Sequence, residues 1–365
     1  MKQAGKRWVL VAALLILAGA MNQTRFTRHH AATPWPTRMD TAPATPTLNL
    51  LLGGFRGVVA DWLWLRAMIL QEQGRFVEIV QLAEWITALQ PQFTDIWSLH
   101  AWNLAYNIPV LLPDAQERWR WVRHGYEILR DRALPATRFH PRVCTELAWI
   151  LMHKIGGTTD DFADVYFVKW LHLYTPLLDE RGRFPLDPAR QAAFVAEAGL
   201  PLHVVHAFEG GYGSHDWRHP LTHAAAWAYA GFSLPPERTG SVMAERLFLQ
   251  IYRQLFFQGQ IVEDPATRDI LLRPDFTRLT GLRQIIEKRQ QRNDAHTESE
   301  MLAATLERIT QTLVAYGKQA EAEQTYADLS RLFSEFPAVR HGFDALAAQP
   351  ISITPRHIPQ PEICP

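Results

Sequence analysis

Apolar residues recur along much of this chain at steps of three and four, the spacing that lines one face of an α-helix. In the stretch 61–97, Leu63, Ala67 and Leu70 share such a face, and Trp62, Leu65 and Ile69 are expected to widen it. Gln73-Gly74-Arg75-Phe76 then breaks the pattern, with a glycine where the chain must reverse. Ile79, Leu82, Ala83, Ile86 and Leu89 form a second face, and Pro91 ends it because a proline has no amide to continue the helix. Ala67 and Ala83 are small enough for two helices to approach closely. The stretch predicts an antiparallel helical hairpin, and Trp97 opens the next apolar face.

That next face runs through Trp97, Ala101 and Leu104, after which Pro109 and Pro113 bracket a longer connection. Trp119, Val122, Tyr126 and Leu129 line the helix that follows. A third hairpin is predicted across 144–178, with Gly156 and Gly157 at its break, and a fourth across 219–259. A last one spans 301–337, with Gly317 at the turn, Ala322 as the small residue and Tyr326 as a bulky one. Prolines and glycines interrupt the pattern over 179–213, which predicts a loop with one short helix at 187–198. Few segments alternate with a period of two, so no sheet is expected.

Helix, glycine turn, helix and proline, followed by an aromatic residue, is the layout of a repeat of about 34 residues. On GGFRGVVADWLWLRA, GRFVEIVQLAEWITALQP and AWNLAYNI, the chain resembles the tetratricopeptide-repeat superfamily, and within it membrane-tethered bacterial envelope proteins. The repeat-level likeness covers 58–107 and 301–337; elsewhere only the general hairpin pattern holds. The resemblance implies an all-α fold, a degenerate α-solenoid of helical hairpins, and protein–protein interaction. It implies no catalytic residues.

The termini add a location. Lys2, Lys6 and Arg7 precede an apolar run over 8–21, as in a secretory signal peptide or signal anchor. The run is short against the roughly 20 residues of a membrane span, and Ala18 and Ala20 have the spacing for cleavage after Ala20. Both fates stay open. The Thr/Pro-rich stretch 22–47 suits a linker, and the positive flank places the repeats on the periplasmic side of an inner membrane. The expected organisation is a signal or anchor at 1–21, the linker at 22–47 and N-terminal hairpins at 48–178. An irregular connection at 179–213, C-terminal hairpins at 214–348 and a Pro-rich tail at 349–365 complete it. With 37 acidic and 37 basic side chains, there is no cationic excess to draw a nucleic acid. Of the two cysteines, Cys144 falls on a predicted helix and Cys364 in the tail, and two alone define no disulfide framework.

Candidate chemistry is sparse. The segment 203–223 concentrates His203, His206, His215, His219 and His223, and His219 and His223 are four apart, as two metal ligands on one helical face would be. Pro220 between them marks a helix start, and no HExxH pattern accompanies them. The metal reading, on His215, His219 and His223, competes with a loop of partly exposed histidines. Thr158 to Asp161 reads as a helix cap rather than a calcium loop. No nucleophile motif, haem site or nucleotide fingerprint is present, so neither an enzyme nor a cofactor is expected. Asn103, Tyr106 and Asn107, near the end of a groove-lining helix, are the candidate protein contacts. The chain is therefore expected to be an exported, membrane-tethered scaffold that binds envelope proteins in a helical-repeat groove, with no small-molecule substrate identified. An envelope metal protein or hydrolase, and a structural subunit of a secretion, pilus or transport assembly, are the alternatives.

Overall fold

The computed structural model describes residues 55–233, 241–291, 296–349, 351 and 353–359. Helices dominate, and the chain divides into two compact units between Glu146 and Leu147. The expected organisation broke instead at 179–213. The apolar run 8–21, the linker 22–47 and Cys364 lie outside the described residues. Among the described residues, no helix is long and apolar enough to cross a membrane.

The first unit opens on the hairpin of α1 (Arg56–Glu72) and α2 (Phe76–Leu89). Ala60, Leu63, Ala67 and Leu70 on α1 are buried, as are Ile79, Ala83, Ile86 and Leu89 on α2. At the turn, the Gly74 amide donates to the Gln71 carbonyl (3.0 Å) and the Arg75 amide to that of Leu70 (2.9 Å). Gly74 adopts φ +70°, a conformation that costs other residues a steric clash.

Helix α3 (Thr94–Trp102) runs on into a π-helical turn, Asn103–Asn107, and α4 (Ala115–Glu127) into another, Ile128–Ala133. Asp114 caps α4 by accepting the Glu117 amide (2.8 Å). Trp97, Ala101, Leu104, Trp119, Val122, Tyr126 and Leu129 are all buried, as their spacing predicts. Gly125 permits the tightest crossing here. A Cβ on it would lie 2.8 Å from the Ala101 carbonyl oxygen and 2.9 Å from the Ala105 Cβ. The division between the units falls within α5 (Pro141–Trp149), which continues as a third π-helical turn, Ile150–Ile155.

In the second unit, α6 (Ala163–Tyr174) is followed by α7 (Pro188–Ala198) and α8 (Leu202–Tyr212). The expected loop over 179–213 thus holds two helices, not one. Asp187 caps α7 on the Arg190 amide (2.8 Å), and Pro201 sets up the start of α8. Helices α9 (Pro220–Ser233) and α10 (Ser241–Gln258) form the predicted fourth hairpin. Almost every side chain of α9 is buried, which its alanines make feasible.

A three-stranded antiparallel sheet corrects the expectation of none. Strands β1 (Gln260–Glu263) and β2 (Ile270–Arg273) pair with Ile261 opposite Leu272. Asp264 organises their turn by accepting the Ala266 and Thr267 amides. Strand β3 (Arg356–Ile358), in the Pro-rich tail, adds to β2 with Ile358 opposite Ile270. Ile270, Leu272 and Ile358 pack on Phe167, Val168 and Leu171 of α6.

After α11 (Leu279–Gln291), helices α12 (His296–Ala315) and α13 (Gln319–Leu332) make the last predicted hairpin. Its geometry repeats that of the first. Gly317 has φ +71°, its amide donates to Val314 (2.9 Å), and the Lys318 amide donates to Leu313 (2.9 Å). Lys318 (φ −94°, ψ 64°) matches Arg75 (φ −86°, ψ 59°), and each pairs with a glutamate three residues on, Glu321 and Glu78. The second helix has 14 residues in both cases and ends on an extended-side cap, Phe333 or Gln90. The amides of Phe336 and Phe93 then close the following turn on those caps.

Candidate functional site

The histidine-rich segment is structural in its placement. His215, His219 and His223 are all buried, whereas a partly exposed loop was the simpler expectation; only His203 and His206, on α8, are exposed. His219 precedes the first residue of α9. Its Nδ1 accepts the Leu221 amide (3.1 Å), so its proton resides on Nε2, which donates to the Gln258 carbonyl (3.0 Å). His223 Nε2 donates to the Trp217 carbonyl (2.7 Å). Its ring sits among Trp170, Tyr174, Phe194 and Trp217. His215 stacks on Phe208 with centroids 4.4 Å apart.

Burial pushes His219 and His223 down to about 3, and His215 well below the ordinary imidazole range. The three rings are neutral; His219 and His223 donate to different carbonyls, and His215 stacks on Phe208. His219 has both nitrogens engaged, so it offers a metal no lone pair. Among the described residues, no group of three or more histidine, cysteine, aspartate or glutamate side chains is arranged to hold a metal ion. Asp160 likewise departs from the expected cap. It forms a buried pair with Lys154, and its Oδ1 accepts the nearby Phe162 amide (2.9 Å). Cys144 is buried in α5, as expected for a small apolar residue.

The three candidate protein contacts lie in the π-helical turn after α3. Asn103 is fully buried, and its Nδ2 donates to the Phe76 carbonyl (2.7 Å) at the start of α2. Asn107 donates to Asn103 Oδ1 (3.3 Å), and Tyr106 stacks on Trp102 at 4.7 Å. The buried Asn103 is therefore corrected from a groove contact to a tie between hairpins; Tyr106 and Asn107 are half-buried beside it.

Three residues expected to widen the buried face, Trp62, Leu65 and Ile69, turn outward instead. Helix α1 carries two apolar stripes. One, Ala60-Leu63-Ala67-Leu70, packs on α2; the other, Val58-Trp62-Leu65-Ile69, faces solvent, with Trp62 65% and Leu65 62% exposed. Phe55 and Met68 flank it, and Val77 and Trp85 on α2 are exposed too. A helix buries only one stripe against one neighbour, so eight apolar positions in two interleaved rows already signal a second apolar face. The steps 58, 62, 65 and 69 alternate four and three, the spacing of a seam that receives another helix. Asp61, Arg66 and Glu72 are exposed beside it as a polar rim of mixed sign.

No family model, curated protein or solved structure matches the chain.

Proposed function

We propose that this chain is a scaffold of tetratricopeptide-like hairpins that holds an envelope protein by receiving one of its amphipathic helices on the outer stripe of α1. The observation that carries the reading is the exposed row Val58, Trp62, Leu65 and Ile69 on a helix whose other face is already packed. Soluble surfaces seldom leave so many large apolar side chains together without a partner. Tryptophan is also the residue type that most often anchors such contacts. The narrow stripe and its mixed-charge rim fit a helix better than a bilayer, where a face bordered by lysine and arginine would be favoured. The matching turns at Gly74 and Gly317 support the repeat reading, in which unlike copies of one hairpin build a degenerate solenoid. Export, and a tether or signal at 1–21, rest on the basic flank and apolar run of the N-terminus. The reading assigns no catalytic step.

The test is a photoreactive residue placed at Leu65 in cells, with a second at exposed Gln81 on α2 as the control position. The expected outcome is one adduct of defined mass from position 65 and none from 81. The identified partner, once purified, should bind the chain and lose at least tenfold in affinity to Leu65→Glu, because burying a carboxylate against apolar side chains costs several kcal/mol. No adduct, or equal binding by Leu65→Glu, would end the proposal.

A further inference from the structure

The second unit contains a cavity of about 620 Å³, a size typical of small-molecule sites. Three elements line it: the π-helical turn with Gly156, Gly157, Thr158 and Thr159 beyond it, helix α10, and helix α12. Helix α10 presents Gln250, Gln254 and Gln258 one turn apart, with Arg253 beside them; α12 presents Thr305 and Arg308. Two arginines thus share one cavity whose lining, among the described residues, includes no acidic side chain.

Among the described residues, neither arginine meets a carboxylate. Arg253 Nη1 reaches Thr305 Oγ1 at 3.5 Å, and the Arg308 guanidinium lies over the Phe257 ring, 5.5 Å from its centroid. The most buried arginines of the same unit behave differently: Arg278 pairs with Asp275, and Arg289 with Glu245 and Glu298. Burial, and then the charge on Arg308, hold Arg253 below the ordinary guanidinium range. A guanidinium keeps its proton in a protein, so the two charges repel without relief from the lining. His153, also in the lining, is pushed down by burial and by Lys154, so it is a neutral hydrogen-bonding group at pH 7, not a third cation.

We propose that this cavity binds a small molecule bearing a phosphate group, with Arg253 and Arg308 on the phosphate oxygens and Gln250, Gln254 and Thr305 on a polar body. A phosphate monoester gathers a charge of about −1.5 to −2 at pH 7 on one centre that two guanidinium forks can share, whereas a dicarboxylate spreads its charge over two separated groups. The cavity is far larger than a phosphate, and its glutamines and threonines offer both donors and acceptors to the remainder of the ligand. The assignment is independent of helix docking on α1, which belongs to the other unit.

Calorimetry on the full chain in mild detergent tests it, with inorganic phosphate, glycerol 3-phosphate and succinate titrated at matched ionic strength. Inorganic phosphate should bind saturably at one site, glycerol 3-phosphate at least as tightly, and succinate at least tenfold more weakly. Arg308 is exposed, so Arg308→Gln leaves the fold intact and should weaken phosphate at least tenfold. Arg246→Gln, an exposed position of α10 outside the cavity, should bind as the unaltered chain does. Absence of saturable phosphate binding overturns the proposal, as does succinate binding equal to that of the phosphates. Phosphate affinity unchanged in Arg308→Gln overturns it too, by showing an adventitious ion only.

Discussion

At the scale of single residues, the buried histidines have a consequence in solution. His219 and His223 titrate near 3 in the folded chain, whereas an exposed imidazole titrates near 6.5. As pH falls below 6.5, the unfolded chain takes up protons that the folded chain refuses. The stability they leave intact above 6.5 is then lost down to about 3, at roughly 1.4 kcal/mol per pH unit for each ring. Glu84 and Asp160, whose pKa values are held down by Arg132 and Lys154, add their losses only in the carboxylate range below that of imidazole. A series of urea midpoints followed by tryptophan fluorescence between pH 6.5 and 5 should therefore fall steeply. His223→Gln keeps an N–H for the Trp217 carbonyl and removes one titration, so its slope should be visibly shallower. An unchanged slope would place the acid sensitivity elsewhere. The sequence displayed these histidines and the four-residue step between two of them, but not their burial. Of the rings that enclose His223, only Trp217 is near it in sequence; Trp170 and Tyr174 come from α6 and Phe194 from α7.

At the scale of elements, legibility tracks how local the cause is. Leu63, Ala67 and Leu70 against Ile79, Ala83 and Ile86 could be read directly, because a hairpin's faces and its turn glycine lie within a few turns of each other. The strands could not. Each has three or four residues, and β3 pairs with β2 across more than eighty residues of intervening chain, so no local pattern announces it. The π-helical turn at Asn103–Asn107 escaped as well: Asn103 is held by a carbonyl on another helix. Strand β3 is anchored by Arg356, whose Nη1 donates to the Gly156 carbonyl (2.8 Å) and Nη2 to Asp164 Oδ1 (2.7 Å), with Phe167 beneath it. Arg356→Ala should cost about 1–3 kcal/mol locally, since charged hydrogen bonds at a part-buried site are lost. Hydrogen exchange should then speed up at the amides of β3 and of the β2 edge it covers, with α9 unaffected. Protection of β3 equal to that of the unaltered chain would mean that Ile358 and the strand pairing hold it without the arginine.

At the scale of the molecule, charge and apolar exposure act together. The chain has no net charge, with a pI near 7.3, so at neutral pH no long-range repulsion keeps copies apart. It also presents Trp62 and Leu65 on an uncovered stripe. Composition revealed the first property, while the second required knowing which stripe of α1 meets α2. The purified chain should self-associate most strongly near pH 7.3, as read by sedimentation at increasing concentration in a fixed detergent. Trp62→Glu with Leu65→Glu should weaken that association across the whole pH range. The same two negative charges introduced as Gln81→Glu and Gln319→Glu, at exposed sites away from the stripe, should only move the pH of the maximum. The contrast separates two physical causes. Repulsion depends on total charge and not on where it sits, whereas an apolar contact depends on the stripe itself. Equal suppression by both pairs would make the association purely electrostatic and leave the outer face of α1 without a role as a docking surface.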